Sequence, residues 1–93
     1  MKIFFRGGLE EHVLSESLVV DLSLLEGNKA VNLIQYLEKT QLKEKYRYFA
    51  RHGELEGGIL CVINDIDWDI LEQKETVLKN TDTIYFITTM HGG

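Results

Sequence analysis

Ala30-Val31-Asn32-Leu33-Ile34-Gln35-Tyr36-Leu37 decides the fold, because it is where the apolar period becomes helical. Ala30, Leu33, Ile34 and Leu37 fall at i, i+3, i+4 and i+7, one stripe of an amphipathic helix. Asn32, Gln35, Glu38 and Lys39 occupy its wet side, and the pattern fades between Thr40 and Lys43. Asn28 suits the N-cap, since its side-chain oxygen can accept a free amide hydrogen bond. One such helix cannot bury its own stripe, so it has to lie across one face of a sheet.

The strands for that sheet flank the helix on both sides. Lys2-Ile3-Phe4-Phe5-Arg6 is a short aromatic and β-branched run, and Gly7-Gly8 stops it with a turn. Leu9 to Glu16 reads as the loop of a wide hairpin. Leu18 to Leu22 follows as its second strand, with Leu18, Val20 and Leu22 on one face. Beyond the helix, Leu42, Tyr46 and Phe49 read as anchors of a long connection, and 51–58 reads as a glycine-rich loop. Ile59 to Ile63 is apolar at every position, which predicts burial on both faces and a central place in the sheet. Asn64 to Asp67 reads as a turn and Trp68 to Ile70 as a brief edge strand. In the polar stretch 71–82, Val77 and Leu78 are expected to turn inward. Thr83 to Thr89 is the last strand.

With the helix as a crossover, the first and last strands can sit parallel at the sheet centre. The expectation is an α+β fold, a ubiquitin-like β-grasp. It would be a mixed sheet of about five strands with one main helix on one face, spanning 1–93 as a single domain with 90–93 as a flexible tail.

Composition narrows the function classes. The 93 residues are 44% apolar and 27% charged, as in ordinary globular proteins. No apolar run approaches the ~20 residues of a membrane span, which points to the cytosol, without membrane contact. A net charge of −5 argues against direct binding of nucleic acid, which needs a basic footprint. The one cysteine, Cys61, excludes a disulfide framework or a cysteine cluster within the chain, and its apolar neighbours predict an inert thiol.

Catalysis by the chain itself finds little support. His12, His52 and His91 lie in separate predicted loops, and no metal-ligand spacing joins them. Asp65, Asp67 and Asp69 alternate as in a cation loop, but Ile70 stands where that loop needs glycine, so they read as turn residues. Gly7-Gly8 lacks phosphate-binding spacing. What remains is the end of the sequence, Met90-His91-Gly92-Gly93. Glycine carries no Cβ, so Gly92 can enter a channel closed to other residues. The Gly93 carboxylate, ionised at pH 7 with a pKa of about 3.3–3.7, could attack the α-phosphate of ATP held by another protein. The tail by itself leaves that reading open beside an end with no role, and His91 open between pocket contact and solvation.

Phe5-Arg6-Gly7-Gly8, Ile63-Asn64-Asp65-Ile66-Asp67-Trp68 and Met90-His91-Gly92-Gly93 together resemble the eukaryotic ubiquitin-related modifier and sulfur carrier family, relatives of the bacterial MoaD and ThiS proteins. The resemblance extends over essentially the whole chain. It implies a β-grasp protein that is not an enzyme. A ubiquitin-activating-type adenylyltransferase and sulfurtransferase would act on it, supplying ATP and sulfur, with no cofactor bound to the chain. Gly93 would carry the adenylate and then the thiocarboxylate, while Gly92, His91 and Met90 would lie in the activating enzyme's channel. Sulfur would pass through a tRNA thiolase complex to the wobble uridine of tRNA, and the same terminus could be joined to lysines of target proteins. The carrier is expected to be monomeric.

The sequence departs from the family pattern at Met90, usually leucine; at Asn80-Thr81-Asp82, commonly Asp-Gly-Asp; and at Glu56-Gly57-Gly58, usually Arg-Pro-Gly. The last change predicts a more mobile loop. Two alternatives stand beside the leading reading: a bacterial-type sulfur carrier for molybdopterin or thiamin synthesis, and a non-catalytic β-grasp interaction module.

Overall fold

A computed structural model describes residues 1–43 and 49–88. Its strands and helix, in chain order, are β1 (Lys2–Arg6), β2 (Ser17–Val19), α1 (Ala30–Thr40), β3 (Ala50–Arg51), β4 (Glu54–Leu55), β5 (Ile59–Ile63), β6 (Ile66–Asp67) and β7 (Thr83–Thr88). Five strands form a sheet in the order β2-β1-β7-β5-β6, and β3 with β4 makes a separate small hairpin. The β1–β7 pair is parallel and every other pair is antiparallel. This is the β-grasp arrangement the helix stripe implied.

Period-two alternation sends one face of each long strand to the core. Ile3 and Phe5 of β1, Ile84 and Phe86 of β7, and Cys61 and Ile63 of β5 are buried on that face, in matching register. Ala30, Leu33, Ile34 and Leu37 of α1 are buried with them as one cluster. Phe49 sits edge-on to Phe5 and Phe86 at ring-centre distances of 5.9 and 5.2 Å. Burying each of these large side chains stabilises the fold by about 1.5–3 kcal/mol before conformational entropy is counted.

The helix start differs from expectation. Lys29, not Asn28, is the N-cap residue, and its N–H donates to Asn32 Oδ1 at 3.0 Å. Ala30 N–H, a donor that the helix itself cannot satisfy, goes to Thr76 O at 2.9 Å. The Asn28 carbonyl instead accepts from Leu78 N–H. That pairing leaves Leu78 buried but Val77 57% exposed, so only one of the two turns inward.

Other boundaries shift for local reasons. Leu18, Val20 and Leu22 do face the core, but β2 stops at Val19. Asp21 Oδ1 accepts Ser23 N–H at 2.9 Å and turns the chain into a 3-10 helix over Leu22–Leu24. Within 9–16, Leu9–His12 is a 3-10 turn that buries Leu9. The 51–58 loop contains the β3–β4 hairpin turn, where His52 and Gly53 have φ of 54° and 83°. Gly53 and His52 N–H both donate to the Glu38 carboxylate.

Ile59–Ile63 is not central, nor buried on both faces. Leu60 is exposed and Val62 half-buried, and β7 holds the centre. The helix covers one face of the sheet, and among the described residues the other face is open. Trp68–Ile70 is a 3-10 turn, started by Asp67 Oδ1 accepting Asp69 N–H at 2.9 Å, and the edge strand is Ile66–Asp67. Phe49 and Leu42 pack on the core as anchors, while Tyr46 lies outside the described residues. No helix among the described residues is long and apolar enough to cross a membrane.

Candidate functional site

Met90, His91, Gly92 and Gly93, the residues singled out in the sequence, lie outside the described residues, as does Thr89. The structure does describe the strand that leads to them. β7 is paired on both sides: with β1 from Lys2↔Thr83 to Arg6↔Ile87, and with β5 from Ile63↔Ile84 to Ile59↔Thr88. Its core face is anchored by Ile84 and Phe86, 0% and 1% exposed. The chain is therefore held by backbone ladders and packing up to the last described residue.

The start of β7 is fixed by a second device. Asn64 and Asp65 form the two-residue turn between β5 and β6 with φ of 52° and 67°, the left-handed geometry such tight hairpins require. Asn64 then reaches across to β7. Its Nδ2 donates to Asp82 Oδ1 at 2.8 Å, its Oδ1 accepts Thr83 N–H at 2.9 Å, and its own N–H donates to Thr83 O at 2.8 Å. Asp82, buried, also accepts Lys79 N–H on Oδ2. The Asn80-Thr81-Asp82 stretch thus closes its turn through the Asp82 carboxylate.

At the other end of β7, Gly7 follows β1 with φ of 75° and lies directly over the Thr88 carbonyl. Beside it the open sheet face carries an aromatic pair, Phe4 on Tyr85 with ring centres 4.7 Å apart. The Arg6 guanidinium lies 5.1 Å from the Phe4 ring centre and 5.8 Å from that of Tyr85, with Nη1 donating to Phe5 O. Val62 and Leu60 of β5 extend this face opposite Tyr85 and Ile87.

The remaining candidates are not brought together. His12 ends the Leu9–His12 turn, His52 sits in the β3–β4 turn, and His91 lies outside the described residues. Among the described residues no group of three or more His, Cys, Asp or Glu could hold a metal ion. Asp67 and Asp69 engage in local hydrogen bonds, Asp69 Oδ1 accepting from Gln73 Nε2 at 3.0 Å. Burial pushes the Cys61 thiol up to about 12, with the Asp67 charge adding to it, so it stays protonated and unreactive.

A body that braces its last strand on both edges is what a tail-presenting protein requires, and comparison with known proteins identifies the body. A sequence profile of the Urm1 (Ubiquitin related modifier) family matches residues 1–93. The chain belongs to the ubiquitin-related modifier family. It is 31% identical to ubiquitin-related modifier 1 of Encephalitozoon cuniculi, with all of both chains covered. It is 34% identical to ubiquitin-related modifier 1 of Mus musculus, over 100% of this chain and 94% of the mouse protein. The solution structure of Urm1 from Trypanosoma brucei superposes with a TM-score of 0.80 at 32% identity, covering 99% of this chain and 93% of that one. The Urm1 crystal structure from Sulfolobus solfataricus, at 19% identity and a TM-score of 0.69, shares the fold.

The sequence reading of this ubiquitin-like modifier did not foresee the contact of Gly7 with Thr88, the Phe4–Tyr85–Arg6 stack or the Asn64–Asp82 latch. The available signal was the glycine pair placed just after the strand that must run parallel to β7.

Proposed function

We propose that this modifier works as a sulfur carrier and protein tag whose reacting group is the Gly93 carboxylate. The observation that carries the reading is β7, paired with β1 as far as Ile87 and with β5 as far as Thr88, with only Thr89 between it and Met90-His91-Gly92-Gly93 in a ubiquitin-related modifier. A rigid body can be gripped while a tail without bulky side chains at its tip enters a channel in a partner.

The chemistry follows from the carboxylate. Ionised at pH 7, it attacks the α-phosphate of ATP on a ubiquitin-activating-type enzyme and expels pyrophosphate, leaving an acyl adenylate. A persulfide sulfur of that enzyme attacks the activated carbonyl and AMP departs. A second enzyme thiol then cleaves the acyl disulfide, releasing the thiocarboxylate and leaving an enzyme disulfide. In this reading Gly92, His91 and Met90 thread the channel, and Cys61, protonated in the core, takes no part. The sulfur goes through a tRNA thiolase complex to the wobble uridine in the cytosol, and a lysine amine that attacks the acyl adenylate instead expels AMP and gives an isopeptide.

The test is mass spectrometry after incubation with ATP, the activating enzyme and a sulfur source. The chain should gain the mass difference between sulfur and oxygen, and a chain lacking Gly93 should not. A wild-type chain that gains no sulfur, or an equal yield without Gly93, refutes the proposal.

A further inference from the structure

We infer that Gly7 sets the direction in which the tail leaves the sheet, and is thereby a positioning residue for activation at Gly93. This rests on the proposed role of Gly93. Gly7 sits at φ +75°, and a Cβ built there would overlap the Thr88 carbonyl oxygen and come within 3.3 Å of Thr88 N and Ile87 Cγ2. The Thr88 carbonyl belongs to the peptide unit joining β7 to residue 89. Gly7 therefore packs against the hinge of the tail, and only a residue without Cβ lets that carbonyl keep its orientation.

The neighbouring glycine separates this contact from backbone strain. Gly8 has φ +103°, equally foreign to a side chain, yet its Cβ would meet only Thr88 Cγ2 at 3.9 Å, an ordinary contact. An alanine at either position strains the turn, but only one at position 7 pushes on the tail's first peptide. Residues 89–93 reach at most about 17 Å when extended, so a turn of about 10° at Thr88 displaces the tip of a fully extended tail by up to about 3 Å. Misplacing a reacting group by ~1 Å can cost about a hundredfold in rate.

The experiment compares Gly7→Ala, Gly8→Ala and wild type as substrates of the activating enzyme, well below their melting temperatures. Gly7→Ala should lower kcat for thiocarboxylate formation at least about tenfold with KM unchanged, because the docking body is intact, while Gly8→Ala stays near wild type. Equal losses in both variants, or none in Gly7→Ala, overturn the inference.

If Gly7→Ala does not fold, Thr88→Gly loosens the same link from the other side. A fall in kcat at constant KM supports the inference and wild-type kinetics overturn it. Residual dipolar couplings of the Thr89 and Met90 N–H groups give a readout that needs no activating enzyme. They should change in Gly7→Ala, or in Thr88→Gly where that variant stands in, and not in Gly8→Ala. Unchanged couplings overturn the aiming role even where wild type takes up no sulfur, an outcome that would refute the role of Gly93 separately.

Discussion

Replacing Asn64 with alanine tests whether the latch at the start of β7 stabilises the sheet. The change removes the 2.8 Å bond to Asp82 Oδ1 and the 2.9 Å bond from Thr83 N–H. Asn64 is exposed but Asp82 is 7% exposed, so the lost bond to its carboxylate is placed at the low end for a charged acceptor, about 1.5 kcal/mol. The Thr83 N–H adds about 1 kcal/mol, and holding alanine at φ 52° costs about 1 kcal/mol more. The expected loss is about 3.5 kcal/mol, a fall of roughly 18 °C in melting temperature for a domain of this size. Urea titration checks it, with the slope of the transition unchanged if only the native state is affected. Asn64→Gly keeps the left-handed turn at ease and should lose roughly 1 kcal/mol less. In an Asp82→Ala background the cost of Asn64→Ala should shrink by about 1.5 kcal/mol, because the acceptor is already gone. A loss below about 1 kcal/mol, or an effect unchanged without Asp82, refutes the latch.

Two further outcomes follow from the core. The Cys61 thiol lies near 9.0 when unfolded and at about 12 when folded, so above pH 9 only the unfolded chain gives up this proton. Stability should then fall with rising pH between those values, by at most about 1.4 kcal/mol per pH unit from this group. Cys61→Ala should lack that component, and parallel pH curves for the two proteins would show it absent. Phe86→Ala opens the contact with Phe5 and Phe49 and should cost about 4 kcal/mol in urea titrations, whereas Phe4→Ala, on the open face, should cost about 1 kcal/mol; similar losses would mean the two sheet faces are not so unlike.

The helix and the two central strands were legible because each has a pattern with one physical solution. Four apolar residues at helical spacing need a sheet to cover them, and Ile84 and Phe86 alternate with half-buried Thr83, Tyr85 and Ile87. Ile59–Ile63 misled because the open face is itself apolar: Leu60 and Val62 lie in line with Ile87 and Tyr85, so a one-sided strand reads as a two-sided one. Trp68 carries strand propensity, but the Asp67 side chain offers the next amides a local hydrogen bond that the ladder cannot match. Asn28 is a plausible cap in sequence, but the pairing of 76–78 with Asn28 and Ala30 places the helix start one residue later, at Lys29. The residue types of the tail left its role open, and the chemistry proposed for it came with the family resemblance. The contact of Gly7 with Thr88 was not legible, because the two are joined only by the parallel register of β1 and β7.

That register also ties presentation of the tail to folding. Without β7 the sheet separates into β2-β1 and β5-β6, two hairpins with no shared partner and no central Ile84 and Phe86 for the helix stripe to cover. Isolated hairpins are marginal in water, so neither half holds the helix on its own. The strand that positions the tail is thus the one on which the whole core depends, and local opening that frees its base removes the sheet centre as well. A partner that recognises the folded body is thereby assured of a tail whose base is fixed, and an unfolded chain bearing the same Gly92-Gly93 offers it no such geometry. If the tail enters a partner's channel as proposed, selectivity for the folded modifier requires no separate reading of the tail sequence beyond a tip small enough to pass.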